Sequence, residues 1–117
     1  MLILYVEDDP TDADLVARYL RNSPHQLKIA KNVDEATPIL SEEPALVLVD
    51  MMLERSREGF EFVHHLREQG YTHPVIAVTA LSLPAEKEQC LEAGCTEVLT
   101  KPYMIDQLAG VMNKYLL

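Results

Sequence analysis

The chain has little of what several protein classes require. Its two cysteines, Cys90 and Cys95, are too few for a disulfide scaffold. No apolar run approaches the roughly 20 residues of a membrane span. The opening stretch Met1–Val6 meets Glu7 at once and carries no basic leader, so it does not read as a signal peptide. These absences point to the cytosol. Basic residues are scarce, 10 against 19 acidic ones, for a net charge of −9. Direct nucleic-acid binding needs a basic surface, and so does binding to an anionic membrane, so both are disfavoured. There is no repeat, no low-complexity tract and no linker. A second domain would need roughly 50 residues of its own, so residues 1–117 are expected to form a single domain.

What is present fits an ordinary globular chain, with 48% hydrophobic and 25% charged residues. Apolar runs at Leu2–Val6, Ala45–Val49 and Val75–Val78, with weaker ones at Leu27–Ala30 and Glu97–Leu99, read as strands. The first and third of the strong runs are continuous rather than alternating, as in strands covered on both faces. Helical patterns separate them. Leu15, Val16, Tyr19 and Leu20 share one face over Thr11–Arg21, which Thr11 or Asp12 can cap. Asn32 with Glu35 opens a helix through Leu40. Phe60, Val63 and Leu66 mark a third, which Gly70 ends. Pro84 starts a fourth that Gly94 closes, and Ile105, Leu108, Val111, Met112 and Tyr115 mark a fifth. Five β–α alternations predict an α/β fold, a doubly wound five-stranded parallel sheet with helices on both faces. The charged stretch Met51–Glu58 lacks apolar periodicity and is expected to be a loop.

Ligands of such sheets bind beyond the carboxyl ends of the strands. There the first strand delivers Glu7, Asp8 and Asp9, the third Asp50, the fourth Thr79 and Ala80, and the fifth is followed by Lys101-Pro102. Asp9 reads as a helix cap or a solvated loop residue. Carboxylates gathered this closely require a proton or a cation among them. An all-oxygen pocket without Cys or His suits Mg²⁺. An Asp, a divalent metal, a hydroxyl and a lysine together suggest phosphoryl transfer with the carboxylate as nucleophile.

Taken in order, Leu2-Ile-Leu-Tyr-Val-Glu-Asp-Asp-Pro10, Leu46-Val-Leu-Val-Asp50, Val78-Thr-Ala80 and Lys101-Pro102 resemble the receiver domain of two-component response regulators, over nearly the whole chain. The resemblance implies the CheY-like strand order 2-1-3-4-5. It implies that Asp50 is the phosphoacceptor, with Thr79 and Lys101 acting on the phosphoryl group. Asp8 would ligate Mg²⁺ directly, Glu7 through water, and Asp50 and the carbonyl of Met52 would complete the protein ligands. Ala80 would keep the approach to Asp50 open, and the Lys101–Pro102 peptide would be cis. The implied donor is a histidine kinase or a histidine phosphotransfer protein. The implied recipient is a downstream protein target or an output domain elsewhere. A homodimer through the fourth helix, fifth strand and fifth helix would use the same switching surface.

The sequence departs from the family pattern in three places. The loop over residues 51–59 lacks the usual proline and is one residue longer before Gly59. Val98 stands where an aromatic or histidine usually turns inward on phosphorylation. Met52 and Leu81, both apolar, flank the path of an attacking water, so self-dephosphorylation is expected to be slow. Other readings are weaker. A phosphatase of the Asp-nucleophile type needs a second acid two residues after the nucleophile, where Met52 stands, so turnover as an enzyme is not expected. A degenerate receiver that docks without phosphorylation sits poorly with the full set Glu7, Asp8, Asp50, Thr79 and Lys101. Cys90 and Cys95 read as reduced packing residues, and His64 and His65 as surface residues.

Overall fold

Each apolar run forms a strand, and the strands lie in one parallel sheet. The computed structural model describes residues 1–53 and 57–116. Their elements are β1 (Leu2–Val6), α1 (Pro10–Leu20), β2 (Gln26–Ala30), α2 (Val33–Ile39), β3 (Leu46–Val49), α3 (Glu58–Glu68), β4 (Val75–Thr79), α4 (Pro84–Ala93), β5 (Glu97–Thr100) and α5 (Ile105–Tyr115). The sheet order is β2-β1-β3-β4-β5, with every pair parallel. This is the doubly wound arrangement expected from the sequence.

Burial explains why some strands were plainer to read than others. Every residue of β3 and β4 is buried, whereas the edge strand β2 buries only Ala30 completely. Successive side chains face opposite sides of the sheet. Ile3, Tyr5, Leu46, Leu48, Ile76 and Val78 pack with residues of α1 and α5. Leu4, Val6, Val47, Val49, Val75 and Ala77 pack with residues of α2, α3 and α4.

Two helix starts need correction. The cap of α1 is Asp9, which agrees with the reading of that residue as a helix cap and displaces Thr11 and Asp12 from the role: its Oδ1 accepts hydrogen bonds from Thr11 N at 2.8 Å and Asp12 N at 3.4 Å. Pro10 occupies the first helical position, where its missing N–H costs nothing. The expected loop over Met51–Glu58 is shorter at its end, because Glu58 already belongs to α3. Met51 and Leu53 are fully buried, and residues 54–56, the middle of the lengthened loop, lie outside the described residues. Gly59 lets the start of α3 lie directly on this turn. A Cβ there would stand 2.5 Å from Met51 Cα and 2.6 Å from the Asp50 carbonyl oxygen.

The cap of α2 is as expected: Asn32 Oδ1 accepts from Glu35 N at 2.9 Å, and the Glu35 carboxylate accepts from Lys31 N at 3.0 Å. That helix stops at Ile39 and continues as a 3₁₀ turn over Leu40–Glu42. At the end of α4, Gly94 takes φ +119°, with Gly94 N donating to Leu91 O at 3.0 Å and Cys95 N to Cys90 O at 3.1 Å. These paired bonds satisfy the last carbonyls of the helix.

Candidate functional site

The order of the sheet reverses between β1 and β3, so the crevice at their carboxyl ends is open to solvent. Val6 and Val49 are register partners, and Asp50 N donates to Val6 O at 2.9 Å. Glu7 and Asp50 therefore leave the sheet side by side. Carboxylate oxygens of Glu7, Asp8 and Asp50 all lie within 4.8 Å of one another. On the other side of Asp50, Thr79 and Thr100 are register partners, and Lys101 N donates to Thr79 O at 2.7 Å. That bond fixes the start of the Lys101 side chain next to Thr79. The Lys101–Pro102 peptide is cis.

The lysine then reaches across the site. Its Nζ lies 2.5 Å from Glu7 Oε1, 2.8 Å from Asp12 Oδ2 and 3.2 Å from Asp50 Oδ2. Glu7 also accepts from the Tyr5 hydroxyl at 2.9 Å. Burial and the neighbouring Asp50 carboxylate push Glu7 up to about 7, against the pull of Lys101. Burial by itself would lower Lys101, but hydrogen bonds with Asp12 and Glu7 and the charge of Asp50 raise it, so the ammonium stays charged. Burial, then the charge of Glu7, raises Tyr5 far above the ordinary tyrosine range and keeps it a neutral donor.

Asp50 is held from its own turn as well, its Oδ1 accepting from Met52 N at 2.9 Å. Thr79 is fully buried, and its hydroxyl accepts from Leu81 N at 3.2 Å. Ala80 and Pro102 are exposed at the rim, while Met52 and Leu81 are half-buried beside the turn. Val98 is half-buried and packs against the α2–α3–α4 side of the core. Three clustered carboxylates with no Cys or His among them form a hard-oxygen donor set, which suits a small divalent cation such as Mg²⁺.

The structure thus places Glu7, Asp8, Asp50 and Lys101 together, with Thr79 tied through its backbone to Lys101. Asp9 stands apart as the cap of α1. Three neighbours were not picked out from the sequence. Asp12 is one, and its only local signal is its place one helical turn beyond Asp8. Tyr5 is another, hidden in an apolar strand. The third is Tyr103, immediately after Lys101-Pro102, whose hydroxyl is buried without a hydrogen-bond partner. Elsewhere, Cys90 and Cys95 are free and buried, and His64 pairs at the surface with Glu68 at 2.9 Å.

Comparison with known proteins agrees with this geometry. A family model for the response regulator receiver domain matches residues 3–113. The chain is 32% identical over 115 residues to the sensor histidine kinase RcsC of Escherichia coli K12, an alignment covering 98% of this chain and 12% of that protein. It is 30% identical to the response regulator Rre1 of Synechocystis sp., covering 97% of this chain and 51% of that protein. The chain therefore spans only part of the length of these relatives. Among solved structures, the BeF₃-activated N-terminal receiver domain of Klebsiella pneumoniae RstA superposes with a TM-score of 0.89 at 28% identity, covering 99% of this chain and 98% of that one. With its match over 111 of 117 positions (residues 3–113) and the same sheet, the chain belongs to the response regulator receiver domain family.

Proposed function

We propose that Asp50 is the phosphoacceptor of a two-component or phosphorelay switch. The observation that carries this reading is the position of its carboxylate. It lies at the switch point of the sheet, clustered with Glu7 and Asp8 and 3.2 Å from the Lys101 ammonium. An Asp50 oxygen attacks the phosphorus of the donor. The bond from phosphorus to the donor's histidine nitrogen, or to the oxygen of a small acyl phosphate, breaks as the new P–O bond forms. Lys101 offsets charge developing on the phosphoryl oxygens, and the Thr79 hydroxyl, which uses only a lone pair in its contact with Leu81 N, donates a hydrogen bond to one of them. When bound by Glu7, Asp8, Asp50 and the Met52 carbonyl, Mg²⁺ supplies further neutralisation of the same charge.

The chemistry belongs to self-phosphorylation and self-dephosphorylation rather than turnover, since Met52 provides no second acid. The half-buried Met52 and Leu81 obstruct an attacking water, so the aspartyl phosphate is long-lived. The donor is a histidine kinase or a histidine phosphotransfer protein, a reading supported by the similarity to part of a sensor histidine kinase. The phosphoryl group adds a charge of about −2, which biases the α4–β5–α5 surface toward a protein target or output domain, or toward a second copy. No described helix is long and apolar enough to cross a membrane, and the reading places the domain in the cytoplasm. Acetyl phosphate with Mg²⁺ tests it: one phosphoryl group should add to the wild type and none to Asp50→Asn. An adduct that survives Asp50→Asn, or one lost within seconds, would contradict the corresponding part of the reading.

A further inference from the structure

We infer that Asp12 is a positioning residue for Lys101, sharing the ammonium at rest and releasing it on phosphorylation, whereupon the Tyr103 hydroxyl takes up the freed carboxylate. The inference rests on Asp50 being the phosphoacceptor.

An ammonium has three N–H donors and no more. At rest Lys101 meets three carboxylates, those of Glu7, Asp12 and Asp50. Phosphorylation turns the Asp50 carboxylate into an acyl phosphate, whose phosphoryl oxygens inherit the donor that Asp50 held and, carrying a charge of about −2, compete for a second, which either Glu7 or Asp12 must yield. These two do not lose equally. The Glu7 side chain is 0% exposed, but that of Asp12 is 36% exposed. Abandoning Glu7 strands a buried carboxylate, whereas water can replace the lysine at Asp12. Asp12 is therefore the partner that leaves.

The released carboxylate has a donor waiting. Asp12 and Tyr103 line the same cavity of about 370 Å³, together with Leu15, Ala80, Lys101 and Pro102. The Tyr103 hydroxyl is buried and makes no hydrogen bond. Burial raises its pKa, and the charge of Asp12 is the largest of the charges that raise it further, so the hydroxyl remains a donor beside an acceptor already engaged. An orphaned buried hydroxyl destabilises the state that contains it. Exchange of partners removes that penalty only after phosphorylation. Asp12 also holds negative charge near the incoming phosphoryl group, which opposes its arrival until Lys101 has moved.

Beryllium fluoride with Mg²⁺, a non-reactive phosphoryl mimic, reads the exchange as an affinity measured by calorimetry. Asp12→Asn should bind the mimic about threefold or more tightly, having lost the charge that competes for Lys101. Tyr103→Phe should bind it about threefold more weakly, yet be no less stable in urea without the mimic. On an Asp12→Ala background, Tyr103→Phe should have no further effect, since the hydroxyl then has nothing to meet. Additive effects in the two backgrounds would overturn the inference, as would a Tyr103→Phe protein that loses resting stability but not affinity. If wild type takes a phosphoryl group from acetyl phosphate and the variants behave additively, only the inference fails. If wild type takes neither phosphoryl group nor mimic, the phosphoacceptor reading fails with it.

Discussion

Among the described residues, the amino and carboxyl ends of the strands are each met by a part-buried cation, Arg67 and Lys101, and the two are used in opposite ways. At the amino edge, Arg67 of α3 is surrounded by neutral acceptors. Its Nε donates to Gly94 O at 2.9 Å, Nη1 to Tyr71 O at 2.7 Å and His73 O at 2.8 Å, and Nη2 to Thr96 Oγ1 at 3.2 Å. Thr96 Oγ1 accepts from Val75 N as well, at 3.1 Å. The planar fork thus ties the end of α3, the turn before β4 and the end of α4 into one fixed unit. At the carboxyl edge, Lys101 is a point charge among carboxylates, one of them half-exposed. A guanidinium on backbone carbonyls can only hold; an ammonium among anions can change partners when a stronger one arrives. Under the proposed function, stability and switching therefore fall to different cations on opposite edges of one sheet.

Removing each cation should separate these roles. Arg67→Ala strands three backbone carbonyls and should cost about 3 kcal/mol in urea unfolding, while phosphorylation of the folded protein by acetyl phosphate persists. Lys101→Ala should cost about 1 kcal/mol below pH 7, where Glu7, pushed up to about 7, takes up a proton in its place, and more above it, where the buried carboxylate is left without its cation. That variant should bind beryllium fluoride with Mg²⁺ about tenfold more weakly than the wild type. Equal stability losses in the two variants would dissolve the distinction.

The next effect lies between the edges. Gly59→Ala places a methyl group against the backbone of Asp50 and Met51. Overpacking there should cost about 2 kcal/mol and, unlike Arg67→Ala, should also slow phosphorylation, because the turn that carries Asp50 must shift. A stability loss with an unchanged phosphorylation rate would show that the turn is indifferent to α3.

The smallest effect belongs to the amino edge. Burial pushes the Cys95 thiol up to about 12 from the ordinary value of 9.0, with Arg67 too weak to offset it. The folded pKa is raised, so this contribution is complete below pH 9 and is lost as pH rises toward 12. Stability should fall by about 1 kcal/mol between pH 9 and 10, and that component should vanish in Cys95→Ala.

The sequence exposed the elements whose signal is local. Continuous apolar runs in β1 and β4, the Asn32–Glu35 cap and the Pro84 and Gly94 punctuation of α4 all follow from neighbouring residues. Contacts made by the fold were harder to see. Asp12 meets Lys101 across 89 positions, and nothing near it marks that partner. Met51 and Leu53 sit in a charged stretch with no period, yet both are fully buried because α3 closes over the turn. Gly59 looked like a loop glycine; only the approach of α3 to the Asp50 backbone explains its lack of a side chain. The acids at the strand ends were visible because a parallel sheet gathers the carboxyl ends of its strands at one edge, whatever their separation in sequence.

Borohydride trapping after treatment with acetyl phosphate and Mg²⁺ tests the central claim most directly. The reagent reduces an aspartyl phosphate to homoserine and marks the residue that carried it. Peptide mapping should find homoserine at position 50 and at no other acid, with the yield falling when Mg²⁺ is withheld. Homoserine at Asp8, Asp9 or Asp12, or none at all in a protein that has gained a phosphoryl group, would contradict the account.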